Sequence, residues 1–215
     1  MAYNNRGILY SDIKNYNAAI ADYTSAIRIN PNIAHIFLNR GLNYVDLENY
    51  NSAIVDFTSA IRVKPNYSEA YKSRGLAYML SGDLNAAIKD FTNTITLFPD
   101  NASVYYCRGL ANYSLTNYSS AIDDFTYAIN KDPENIKFLQ DRGKTYSIVE
   151  NQNAAILDFT TVIKLDHNNT KAYMDRGIAH ARIGNYNFGI SDFTSVIRID
   201  PNYAVAYNGR GMIKK

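Results

Sequence analysis

Seven arginines and six aspartates are the residues whose type and spacing could do chemistry together. Arg-Gly occurs at Arg6-Gly7, Arg40-Gly41, Arg74-Gly75, Arg108-Gly109, Arg142-Gly143, Arg176-Gly177 and Arg210-Gly211, 34 residues apart each time. Asp22, Asp56, Asp90, Asp124, Asp158 and Asp192 follow the same spacing. A planar guanidinium fork matches a carboxylate through two parallel hydrogen bonds. The two columns therefore predict a ladder of ion pairs, with Arg40 or Arg6 on Asp22 and so on along the chain. Partly buried pairs of this kind fix register more than they stabilise, because desolvation offsets the attraction. A carboxylate column that satisfies each arginine argues against phosphate binding.

Other chemistry is poorly supplied. Cys107 is the sole cysteine, so neither an intramolecular disulfide nor a multi-cysteine metal site is possible. It has no histidine at a matching helical position and reads as a small packed hydrophobe. His35, His167 and His180 fall at three different places in the 34-residue period, so no metal centre is expected. No glycine-rich phosphate loop occurs. These readings predict a protein that is not an enzyme and carries no cofactor. Charge points the same way: 22 Lys and Arg against 20 Asp and Glu give a net charge of +2. Nucleic-acid binders normally carry a larger surplus or a basic stripe, so no nucleic-acid partner is expected. The N-terminal residues lack the pattern of a signal peptide, and no apolar run spans a bilayer. A cytoplasmic location without membrane insertion is the resulting expectation.

The elements that position these columns follow from the period. Ile20, Ile54, Ile88, Ile122, Ile156 and Ile190 keep the register, as do Thr24, Thr58, Thr92, Thr126, Thr160 and Thr194. An uninterrupted period of this length means one small unit stacked on copies of itself. Phe37, Gly41 and Tyr44 lie at i, i+4, i+7, one face of a helix. Asn49 is an N-cap, matched by Asn15, Asp83, Asn117, Asn151 and Asn185. Ala53, Phe57, Ala60 and Ile61 mark a second helix, and Pro65 ends it. Pro31, Pro99, Pro133 and Pro201 recur alike, with His167 in the fifth place. The 19 Tyr and 9 Phe, with no Trp, fall mostly into a few repeat columns and read as stacking residues.

This pattern resembles the tetratricopeptide repeat, a 34-residue unit with an aromatic, Leu-Gly, Tyr, Ala, an aromatic, Ala and Pro at fixed positions. The first aromatic is Tyr3, Phe37, Tyr71, Tyr105, Tyr173 and Tyr207, with Leu139 in the fifth repeat. The following Tyr is Tyr10, Tyr44, Tyr78 and Tyr146, replaced by Asn112 and His180. The second-helix aromatic is Tyr23, Phe57, Phe91, Phe125, Phe159 and Phe193. Arginine before glycine, where the family has leucine, is the systematic departure. The resemblance implies an all-α, right-handed superhelical solenoid of antiparallel helix pairs. One array over 1–215 is expected, with repeats at 1–33, 34–67, 68–101, 102–135, 136–169 and 170–203. The first helix of a seventh repeat follows at 204–215.

The resemblance also implies a concave groove lined by each first helix at positions two, five, nine, twelve and thirteen, with glycine at position eight. Carried over, this gives Leu38, Leu42, Val45, Lys72, Leu76, Met79, Tyr106, Leu110 and Tyr113 as an apolar, solvent-facing lining in repeats two to four. Lys137, Lys144 and Lys171 make repeats five and six more basic, tempered by Asp141 and Asp175. The expected partner is a protein or peptide segment, apolar in its middle and acidic at one end. The clamp that some family members use for chaperone tails is not matched. Lys72 and Lys137 fit it, but Leu76, Cys107 and Asp141 do not. Alternatives are a regulatory or docking segment of a larger enzyme, or a repeat array that associates with itself end to end.

Overall fold

The structure, a computed structural model, describes residues 2–213, and every described element is a helix or a turn. The helices fall into two compact units, Met1–Leu115 and Thr116–Lys215. The first unit holds α1 (Ala2–Asp12), α2 (Tyr16–Ile29), α3 (Ala34–Asp46), α4 (Tyr50–Val63), α5 (Ser68–Ser81), α6 (Leu84–Leu97) and α7 (Ala102–Ser114). The second holds α8 (Tyr118–Lys131), α9 (Ile136–Ile148), α10 (Gln152–Leu165), α11 (Thr170–Arg182), α12 (Tyr186–Ile199) and α13 (Ala204–Ile213). These are the thirteen helices that the period predicts. The last two residues of the expected terminal helix lie outside the described residues. Within each unit every helix packs on its sequence neighbours.

Each first helix ends in the same tight turn. The residue after its last turn has positive φ: Lys14 (60°), Glu48 (57°), Gly82 (91°), Thr116 (62°), Glu150 (62°) and Gly184 (78°). That geometry lets the next backbone N–H reach back to an otherwise orphaned carbonyl. Asn49 N–H donates to Tyr44 O at 2.8 Å, and Asn151 N–H donates to Tyr146 O at 2.9 Å. The same residue then starts the second helix. The Asn49 side chain accepts from Ser52 N–H at 3.2 Å, and Asp83 accepts from Ala86 N–H at 3.0 Å. Asn117 and Asn185 take the N-cap position without the side-chain bond. Second helices close on an extended residue, such as Asn30 (φ −142°, ψ 100°); proline follows in five of the six and disfavours helical geometry before it, and Asp166 takes the same geometry (φ −137°, ψ 95°) before His167.

Glycine and the second-helix aromatic form the core of a pair. Tyr23, Phe57, Phe91, Phe125, Phe159 and Phe193 are buried, as are Ala19, Ala53, Ala87, Ala121 and Ala155. A Cβ on Gly41 would stand 2.5 Å from Phe57 Cε1, and one on Gly75 would stand 2.8 Å from Phe91 Cε1. The ring occupies the space that any side chain at that glycine would need. Each buried ring contributes about 2 kcal/mol of apolar transfer.

The arginine beside the glycine holds that geometry in place. Arg6 forks onto Asp22, Arg40 onto Asp56, Arg74 onto Asp90, Arg142 onto Asp158 and Arg176 onto Asp192. All these contacts are 2.6–2.9 Å, and all lie 16 residues apart. Of the two pairings that the columns allow, the one within a repeat is formed. The third guanidinium nitrogen crosses to the preceding repeat: Arg40 donates to Thr24 Oγ1 at 2.9 Å and Arg74 to Thr58 Oγ1 at 2.8 Å. Arg108 on Thr92, Arg142 on Thr126 and Arg176 on Thr160 repeat the contact. Tyrosines sandwich the fork, with Arg74 5.6 Å above Tyr71 and 5.9 Å from Tyr78. These tyrosine columns are therefore half-exposed clamps on arginine as well as stacking residues.

The fork on Asp56 raises the Arg40 pKa above its ordinary value. Burial raises the Asp56 carboxyl above its ordinary value, and the fork from Arg40 offsets this only in part. Asp90→Ala should cost roughly 3–5 kcal/mol in urea unfolding, because it strands the mostly buried Arg74 charge. Thr58→Val should cost about 1 kcal/mol, the worth of one hydrogen bond. A second expectation concerns the turn. Thr116 is β-branched at φ 62°, so Thr116→Gly should raise stability by about 1 kcal/mol in the same measurement.

His180 replaces the clamp tyrosine in repeat six. It stacks on Phe188 at 5.2 Å, and its Nδ1 is buried without a hydrogen-bond partner. Burial lowers its pKa, Arg176 lowers it further, and Asp192 opposes this. The unfolded chain then takes up the proton first, so stability is lost as pH falls below about 6.5. His180→Tyr should flatten the melting temperature between about pH 7 and pH 5 relative to the parent.

Candidate functional site

In each unit the first helices approach one another directly: α1 and α3, α3 and α5, α5 and α7, then α9 and α11, α11 and α13. Consecutive second helices make no comparable approach among the described residues. The first-helix layer is thus the inner side of each stack.

Position nine, one residue after the glycine, faces outward from that layer. In the first unit it carries Ile8, Leu42, Leu76 and Leu110 on four successive first helices. Ile8 and Leu42 are each 40% exposed, and Leu76 and Leu110 are half-buried. Ile8 and Leu42 border a cavity of about 270 Å³ with Ser11, Asp12, Tyr23, Asn39 and Asn43. Ile8 escaped the sequence reading, although the 34-residue spacing back from Leu42 marks it.

Position five behaves differently. Leu38 and Tyr106 are only 4% and 6% exposed, so two residues expected to face solvent do not. Leu38 shares one core cluster with Ala70 and Ala77 of the next first helix. Met174, at the same position, clusters with Ala206. The side chain at this position points along the stack and seals the seam between neighbours. Val45 packs against the Leu38 cluster, and Leu76 and Met79 pack against the cluster of Phe91 and Val104. Lys72 and Tyr113 are half-buried. Cys107 also packs against the Phe91 cluster.

The second unit presents charge. Lys137 and Lys171 are exposed, and Lys144 is half-buried. Lys144 Nζ lies 3.5 Å from Asp141 Oδ1. The Lys144 ammonium pushes the Lys171 pKa down by direct contact and repulsion. Burial raises the Asp175 carboxyl, and the attraction of Lys144 and Lys171 offsets this only in part. Asp175 Oδ2 is buried without a hydrogen-bond partner. Two lysines and two aspartates thus form one mixed cluster rather than a purely basic wall. Beside it, Arg182 donates to Ser147 O at 3.1 Å. A cavity of about 630 Å³ is lined by Ile178, Ala181, Arg182, Tyr186, Phe193, Gly209 and Met212. Ile178 and Met212 again stand at position nine.

Among the described residues no group of three or more His, Cys, Asp or Glu could hold a metal ion. No helix among them is long and apolar enough to cross a membrane.

Comparison with known proteins agrees with this architecture. Family models described as tetratricopeptide repeat match residues 1–33 and 38–91, and one described as TPR repeat matches 75–116. Together they cover more than half of the chain. No curated protein matches it. Among solved structures, YrrB, "a TPR protein with an unusual peptide-binding site", is 17% identical with a TM-score of 0.79. That alignment covers 88% of this chain and 97% of YrrB. The C-terminal part of a TPR repeat-containing protein from Cytophaga hutchinsonii is 19% identical with a TM-score of 0.81, covering 91% of this chain and 78% of its own. MamA is 22% identical with a TM-score of 0.75, covering 80% and 93%. At these identities the likeness is one of fold. With helix pairs recurring every 34 residues and an aromatic ring seated on Gly7, Gly41, Gly75, Gly143 and Gly177, the chain belongs to the tetratricopeptide-repeat family.

Proposed function

We propose that this protein is an interaction scaffold that binds a peptide or protein segment along its first-helix layer. The observation that carries this reading is the row Ile8, Leu42, Leu76 and Leu110 in the first unit. Stacking does not require a large apolar side chain there, since Lys144 takes the same position in the second unit. An apolar row that stacking covers only in part, with Ile8 and Leu42 exposed and Leu76 and Leu110 half-buried, supports a contact surface. Met79 and Tyr113, also on the first-helix layer, suit adaptable contact with a peptide. The similar YrrB is itself described as having a peptide-binding site.

The second unit would read acidic side chains through Lys137, Lys144 and Lys171. Asp141 and Asp175 partly neutralise these lysines, so that contribution is weak and sensitive to salt. Binding rather than catalysis is the reading, and micromolar affinity, roughly −8 kcal/mol, suffices for it.

A displayed random-peptide library panned against the protein tests this. The parent should enrich apolar sequences, and Leu42→Ser/Leu76→Ser/Leu110→Ser should enrich none while keeping its helical circular dichroism. Equal enrichment by both proteins would overturn the reading.

A further inference from the structure

Between α1 and α3 the apolar row of the first unit is interrupted by the cavity of about 270 Å³. Ile8 and Leu42 border it, and its other lining side chains, Ser11, Asp12, Tyr23, Asn39 and Asn43, all carry polar atoms. None of the lining side chains is basic. An apolar cavity of about 150 Å³ holds a benzene ring, so this one has room for the end of a side chain.

Three of these residues depart from what stacking asks of their columns. Asn43 stands where Ala77, Ala111 and Ala179 are fully buried in later first helices. It is only 2% exposed itself. Its Nδ2 donates to Asn39 O at 2.9 Å, which fixes the orientation of the amide and leaves Oδ1 buried without a partner. An acceptor stranded in this way is costly, and packing alone would favour alanine. The amide torsion is soft, so a small turn presents Oδ1 to the cavity. Tyr23 stands where the other second helices have Phe, and burial, helped by the charges of Asp12 and Asp22, pushes its pKa to about 12. The hydroxyl therefore stays neutral, and the charge of Asp12 is felt at the ring.

Asp12 supplies that charge from an exposed position with no ion pair among the described residues. Asp12 and Asp46 hold position thirteen in the first two repeats, where Leu80, Ser114, Ile148 and Arg182 follow. The corresponding cavity in the second unit has Ala181, Arg182 and Phe193 in place of Ser11, Asp12 and Tyr23. The same seam thus tolerates the opposite charge, so its acidic, acceptor-rich lining in the first unit is not a demand of the fold.

We propose that the cavity between α1 and α3 is a subsite for a basic side chain, lysine or arginine, of the bound segment. Its cation pairs with Asp12 and donates to the Tyr23 hydroxyl and to Asn43 Oδ1, while its methylene stem lies against Ile8 and Leu42. The subsite rests on the first-helix layer being a peptide-binding face, and it fixes where along the segment a positive charge must fall.

Sequencing the clones that the random-peptide library yields tests this. Clones enriched by the parent should carry Lys or Arg at one fixed spacing from their apolar positions. Asp12→Asn should still enrich apolar sequences, but without the fixed basic residue. In fluorescence anisotropy, a synthetic peptide of parent-selected sequence should bind the parent about tenfold more tightly than its form with glutamine in place of that basic residue. On Asp12→Asn the ratio should fall toward one. Asn43→Ala should weaken the same peptide several-fold while melting no lower than the parent. Apolar clones without a fixed basic residue, undiminished discrimination by Asp12→Asn, or full affinity in Asn43→Ala would overturn the subsite alone. A parent that enriches no peptide would overturn the subsite and the binding face together.

Discussion

The structure depends on one guanidinium with three anchors. An interior arginine spends two nitrogens on the aspartate of its own second helix and a third on the threonine of the preceding one. The aspartate contact closes a helix pair, and the threonine contact ties that pair to its predecessor. A planar fork with fixed geometry can serve both directions only if three helices meet at one spacing and angle. Thr24 and Thr92 accept from arginine while donating to the carbonyl four residues back, so the bond ends on the helix ladder itself. Where family members place leucine, this chain uses a polar strut under a lid of tyrosines.

That substitution accounts for much of the unusual composition. Buried phenylalanines sit over the glycines, as burial alone would dictate. The tyrosines have a second duty that needs their amphipathic character. Tyr3, Tyr10, Tyr71, Tyr78, Tyr146 and Tyr173 each lie 5.6–5.9 Å from the guanidinium of their own repeat while staying partly exposed. Leucine at these positions would leave the cation without its π-face, and tryptophan would crowd a pair spaced by alanine and glycine. Where the tyrosine is replaced by His180, the buried nitrogen without a partner shows how particular the position is.

Freedom to vary is confined by the same geometry. Position eight must be glycine, and positions five and twelve help seal the seams between first helices. Position nine is only partly covered by stacking, so it can hold Leu42 in one repeat and Lys144 in another. Candidate binding chemistry gathers there because stacking leaves that position partly open.

The period, the paired helices, the N-caps and the choice of arginine and aspartate as partners were all legible in the residues. Each depends on a local rule or on strict recurrence, and recurrence survives in one dimension. The threonine anchor was visible as a column without a purpose, because its bond crosses between repeats and only folded distances reveal it. The inward turn of Leu38 and Tyr106 was hidden for a related reason. Helical position says which way a side chain points, but burial depends on how closely the next helix approaches. That Asp141 and Asp175 temper the lysines of repeats five and six was legible too, but the Lys144–Asp141 contact and the burial of Asp175 Oδ2 were not, since charges at different repeat positions meet only through space. Chemical identity and spacing were thus written along the chain, while partnership and exposure were set by the approach of one helix to the next.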